Sequence, residues 1–119
     1  MRHRVNKITK LGRKADHRGL LIRNLATSLI EHDKIQTSAA KAKALQPVFE
    51  RIIVNLKKKA EDREAIRYLK SILLTEKAQK KALGELKKKY ADRNSGFTRI
   101  TPLGVQKGDA TPKVQIELI

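Results

Sequence analysis

The apolar positions fall into four stretches with helical spacing, followed by two stretches that alternate. Between Asp16 and about His32, Leu21, Leu25 and Leu29 recur every fourth residue, with Ile22, Ala26 and Ile30 beside them. That stripe predicts an amphipathic helix with one side on a core, and Asp16 is placed to cap it. His17, Arg18, Arg23, Asn24 and Thr27 fall mostly off the stripe. A brief β-prone run, Lys34–Thr37, comes next. Thr37 or Ser38 then caps a second helix reaching about Lys59, with Ala42, Leu45, Phe49, Ile52, Ile53 and Leu56 as its apolar side. Pro47 lies inside it and has no N–H to donate, so a kink or a restart is expected there. Asp62 opens a third helix with Ala65, Ile66, Leu69, Ile72 and Leu73 inward. Thr75 caps a fourth, with Ala78, Ala82, Leu83, Leu86 and Tyr90 inward.

After Tyr90 the period changes from helical to two. Asp92–Gly96 has turn chemistry, and Phe97–Leu103 is β-prone, although Pro102 confines it to an edge or an end. Lys107-Gly108-Asp109 forms a second turn before Lys113–Leu118, where Val114, Ile116 and Leu118 share one face. The simplest assembly is an α+β domain over residues 15–119. About four helices pack on a small three-stranded sheet, mixed or antiparallel, with the Ile35 segment as third strand. Residues 1–14 show no sustained period. Val5, Ile8 and Leu11 would suit one face of a short helix formed on a partner, but Gly12 opposes it. The segment reads as an extended basic arm, ordered only when bound.

Charge changes the picture most. The 119 residues carry 28 Lys+Arg against 12 Asp+Glu, a formal net charge of +16. Residues 1–23 hold eight of the bases against Asp16 alone, and residues 47–90 hold thirteen against six acids. In the second group the acids are interspersed along predicted helices, where a solvated face accounts for many of the lysines. In the first group the arm has no acid at all. Self-repulsion on this scale implies a polyanionic partner.

Other classes drop away. Cysteine is absent, which removes disulfides, thiolate nucleophiles and Cys-ligated metal together. The longest strictly apolar runs are three residues, so no membrane span is expected. No apolar run follows the basic start, which argues against a secretory signal, and an intracellular protein is expected. The three histidines have no metal-ligand spacing. His17 and His32 would stand roughly 22 Å apart along one helix, too far to share acid–base work. There is no phosphate-binding glycine loop and no nucleophile elbow. No enzyme activity, cofactor, metal or small-molecule substrate is expected, nor an obligate homo-oligomer.

The aromatic count then narrows the mode of binding. Only Phe49, Tyr68, Tyr90 and Phe97 are present, and the first three lie on or beside helix stripes. A surface that stacks many splayed bases needs more. Recognition should rest on Lys and Arg against the phosphates of folded RNA or duplex. In the arm the candidates are Arg2, His3, Arg4, Lys7, Lys10, Arg13 and Lys14. A basic ribonuclease and a nucleoid-type DNA-binding protein share this size and charge. The ribonuclease would need a clustered acid and base that separated histidines do not supply.

The ordered residues carry a further signal. Met1-Arg2-His3-Arg4, Lys10-Leu11-Gly12-Arg13, His17-Arg18 and Leu21–Ala26 resemble the bacterial-type large-subunit ribosomal protein seventeen family. The likeness continues through Ile35-Gln36-Thr37, Lys41–Leu45, Gly96–Ile100, Gly108-Asp109-Ala110 and Ile116-Glu117-Leu118. The resemblance implies an α+β domain bound to large-subunit ribosomal RNA in the cytoplasm (or an organelle), near the exit tunnel and beside other ribosomal proteins. It also implies RNA contacts at Arg2, His3, Arg4, Lys10, Arg13, His17, Arg18, Arg23 and Asn24, with a second set at Lys41, Lys43, Thr98 and Arg99. Two positions depart from the family's pattern. Ser95-Gly96-Phe97 stands where two glycines and a tyrosine are common. Lys107 follows Gln106 where an arginine is usual, giving a point charge in place of a fork.

Overall fold

Helix α1 (Ala15–His32) takes in Asp16, which lies in the first turn and accepts from the His17 amide at 3.0 Å. The computed structural model describes residues 15–105, 108 and 111–119. After α1 come β1 (Lys34–Ser38), α2 (Ala39–Lys58) and α3 (Asp62–Ile72). The fourth helix begins as α4 (Glu76–Lys81), passes through a π-helical stretch (Ala82–Leu86) and ends as α5 (Lys87–Lys89). Strands β2 (Thr98–Val105) and β3 (Pro112–Leu118) complete the α+β fold.

Local chemistry sets these boundaries. Ser38 caps α2 by accepting from the Lys41 amide, and Thr75 caps α4 by accepting from the Ala78 amide. Asp33 ends α1 in the left-handed region at φ 66°, where its amide donates to the Leu29 carbonyl. Helix α2 does not restart at Pro47: it runs unbroken, with the proline on its exposed side. All six predicted stripe residues of α2 are buried.

The sheet is antiparallel throughout, in the order β1-β3-β2. Ile35 and Ile100 both pair with Ile116, so a row of isoleucines crosses the three strands on one face. Pro102 sits on the edge strand, just before a register shift that Gly104, at φ 108°, accommodates. One core joins this face to the helices. Leu45, Phe49, Ile53, Leu69, Leu86 and Ile116 are at most 2% exposed, and each such side chain contributes about 1.5–3 kcal/mol by its burial.

Two inward assignments need correction. Ile66 is 39% exposed rather than core, because α3 buries the Ala65–Leu69–Leu73 line. Leu21 is only partly buried, and the α1 seam runs instead through Ile22, Ala26, Leu29 and Ile30. Leu83, by contrast, is partly buried and packs against the core as expected, beside the π-helical turn that buries Ala82 and Leu86.

Tyr90 ties the segment before β2 to the residue after β3. Its hydroxyl proton is shared between the carbonyls of Phe97 (3.4 Å) and Ile119 (3.2 Å). Burial pushes its pKa above the usual 10.0; the Arg93 charge opposes that shift and Asp33 adds to it. Phe97 is fully buried against the Tyr90 ring, centroids 4.9 Å apart, and so serves the core.

Candidate nucleic-acid interface

Arg2, His3, Arg4, Lys7, Lys10, Arg13, Lys14 and Lys107 lie outside the described residues. The remaining candidates divide by where the fold puts them. On α1, His17 and Asn24 are exposed while Arg18 and Arg23 are half-buried. Arg23 has a structural bond as well: its Nε donates to the Ile72 carbonyl at 2.9 Å. One turn on, Thr27 donates to the Arg23 carbonyl and accepts from the Leu74 amide at 3.1 Å. Two α1 residues thus hold the exit of α3, and the Arg23 guanidinium is fixed with its terminal nitrogens left over.

Strand alternation separates Thr98 from Arg99. Thr98 faces inward opposite Leu118, is 6% exposed, and its hydroxyl accepts from Gln46 Nε2 at 3.1 Å. Arg99 points to the other face, opposite Glu117, whose carboxylate is 3.9 Å away. Lys34 pairs with Glu117 from the opposite strand, so that face is polar and exposed. On α2, Lys43 is exposed and Lys41 half-buried, both in a helix whose first turn holds no acid. Bases near a helix N-terminus oppose its dipole, a conflict that a bound anion relieves.

Many of the lysines between 57 and 90 have intramolecular work. Lys57 donates to the Arg93 carbonyl, Lys87 to the Lys59 carbonyl at 2.9 Å, and Lys81 to Asp33 at 2.8 Å. Lys59 and Lys89 lie over the rings of Tyr68 and Tyr90. Lys58, Lys70, Lys77 and Lys88 remain exposed.

One feature was not anticipated in the sequence. A groove of about 420 Å³ opens where α1, α2 and α3 meet. Its floor is apolar: Ile22 from α1, Ala44 and Val48 from α2, Tyr68 and Ile72 from α3. Arg18, Arg23 and Arg51 also line it, with no acid among the lining residues. Among the described residues none of these arginines is in an ion pair. Arg51 went unnamed because its meeting with Arg18 and Arg23 depends on how two helices pack; its one signal was an arginine three positions beyond Val48. A second cleft of about 470 Å³ shares Arg23 but contains Glu76, which repels an anion.

Among the described residues there is no cluster of His, Asp or Glu that could hold a metal, and no helix is long and apolar enough to cross a membrane. His17 and His32 stand near opposite ends of α1. Fold and surface together define a small cationic α+β protein whose groove arginines, among the described residues, have no acidic partner. The ribosomal protein L17 family pattern matches residues 21–119, and the chain belongs to that family. It is 44% identical over 110 residues to a protein of Desulfitobacterium hafniense, covering 92% of this chain and 96% of that one. It is 41% identical to a protein of Sulfurimonas denitrificans and 42% identical to one of Helicobacter hepaticus, each end to end. All three are named large ribosomal subunit protein bL17.

Proposed function

We propose that this chain is a structural component of the large ribosomal subunit that binds and stabilises folded ribosomal RNA through phosphate contacts. The observation that carries the reading is its end-to-end similarity to proteins named for that subunit. The distribution of charge supports it: bases in the arm, on exposed parts of α1 and α2, and around an acid-free groove. Binding is electrostatic and geometric. Counterion release and charge-assisted hydrogen bonds drive it. Arg2, Arg4, Lys7, Lys10, Arg13 and Lys14 meet phosphates from the arm, with His3 beside them; His17, Arg18, Arg23 and Asn24 extend that track along α1. Lys41, Lys43, Arg99 and Lys107 form the second set. Thr98 acts behind it by holding Gln46. The site lies on the exit-tunnel side of the subunit, beside neighbouring ribosomal proteins, and the protein performs no catalysis.

Competition tests the reading. Folded large-subunit RNA should displace a labelled RNA fragment from the full chain at concentrations where duplex DNA of equal length does not. Equal displacement by DNA would reassign the protein to general duplex binding. Cleavage of the labelled RNA, lost on His17→Ala, would make it a nuclease.

A further inference from the structure

The groove between α1, α2 and α3 has two chemistries that phosphate tracking alone does not use together. Its floor is apolar and includes the Tyr68 ring, and its lining holds three arginines with no acid. We propose that it takes one unpaired nucleotide of the bound RNA, the base on the floor beside Tyr68 and the phosphate on Arg18 and Arg51. This rests on the RNA-binding reading above and adds a specific subsite to it.

Three observations favour that occupant. A nucleotide joins a flat π-face to an anion, which matches an apolar floor lined by guanidinium groups that, among the described residues, are in no ion pair. Guanidinium planes stack on bases as well as fork onto phosphates, and Arg23 is already fixed by its bond to the Ile72 carbonyl. Size agrees too: about 420 Å³ lies toward the lower end of the roughly 300–1,000 Å³ of small-molecule sites. A docking helix would need a row of anchor pockets spaced over several turns, and this groove is a single hollow. Tyr68 keeps a free proton, because its hydroxyl accepts from Asn55 Nδ2 at 3.1 Å and can donate to a base edge.

The test uses the full chain with two fluorescein-labelled probes, hexaadenylate RNA and a six-unit ribose-phosphate oligomer lacking bases. Hexaadenylate should bind about tenfold more tightly, the lower range for one stacked base. Val48→Phe, which fills the floor without removing charge, should abolish the difference. Arg51→Gln should weaken both probes and lower the salt slope by about one. Should Val48→Phe fail to fold, methyl NMR of the unaltered protein decides. Hexaadenylate should shift the Ile22, Val48 and Ile72 methyl signals, and the abasic oligomer should not. Equal affinity for the two probes with unmoved methyl signals would overturn the proposal. So would a polyglutamate peptide that moves those signals when hexaadenylate does not, which would assign the groove to an acidic protein. In either case the salt-dependent binding of ribosomal RNA would stand unchanged, so the subsite can fail without the RNA-binding reading.

Discussion

Arg23 donates from Nε to the main-chain carbonyl of Ile72, 49 residues away, at 2.9 Å. The same side chain lines the apolar groove, so one arginine both closes the end of α3 and presents positive charge to a ligand. Arg23→Ala should therefore lower unfolding free energy by about 1.5–3 kcal/mol, the usual range for a hydrogen bond from a charged donor. Urea denaturation measures it. A loss below 0.5 kcal/mol, roughly the floor of that range for neutral bonds, would show that the bond contributes little.

Thr27 extends the same clamp. Its hydroxyl donates to the Arg23 carbonyl and accepts from the Leu74 amide, and it is 5% exposed. Thr27→Val should cost about 1–3 kcal/mol by leaving the Leu74 N–H unpaired, whereas Thr27→Ser should retain most of the stability. Equal melting temperatures for the two variants would contradict this.

Tyr90 gives a pH dependence. Its folded-state pKa is raised above 10.0, mainly by burial, so the folded protein holds the phenolic proton more tightly than the unfolded chain. That contribution is complete below pH 10 and is lost as pH rises through the folded-state value. Tyr90→Phe should cost about 0.5–1.5 kcal/mol at neutral pH and should flatten the alkaline fall in stability. Parallel alkaline limbs for the two proteins in urea titrations would refute the assignment.

Removal of residues 1–14 tests the division of labour between arm and domain. That deletion takes away Arg2, Arg4, Lys7, Lys10, Arg13 and Lys14 and leaves every core residue among the described ones in place. It should weaken RNA binding and make its salt dependence shallower while the far-ultraviolet circular dichroism and melting temperature persist. A truncated chain that unfolds would make the arm structural.

The helices were legible in the sequence wherever packing and local chemistry agreed. Ala42, Leu45, Phe49, Ile52, Ile53 and Leu56 are spaced for one face and are all buried, and Ser38 and Thr75 cap as their side chains suggest. Ile66 is exposed rather than core because period alone cannot say where a stripe ends. Pro47 looked disruptive, yet it sits on the exposed side of α2, where the freed carbonyl can meet water. For the site, the sequence revealed which residues are basic and could not reveal which are already engaged. Lys57, Lys81 and Lys87 serve the fold through carbonyls and a carboxylate far along the chain. The Arg18–Arg23–Arg51 grouping likewise exists only once α1 and α2 pack.

The central claim, that the excess of bases grips RNA by its phosphates, is tested most directly by the salt dependence of binding to large-subunit ribosomal RNA. With about six phosphates neutralised, log affinity should fall against log salt concentration with a slope near −5. A slope shallower than about −2 would contradict the account.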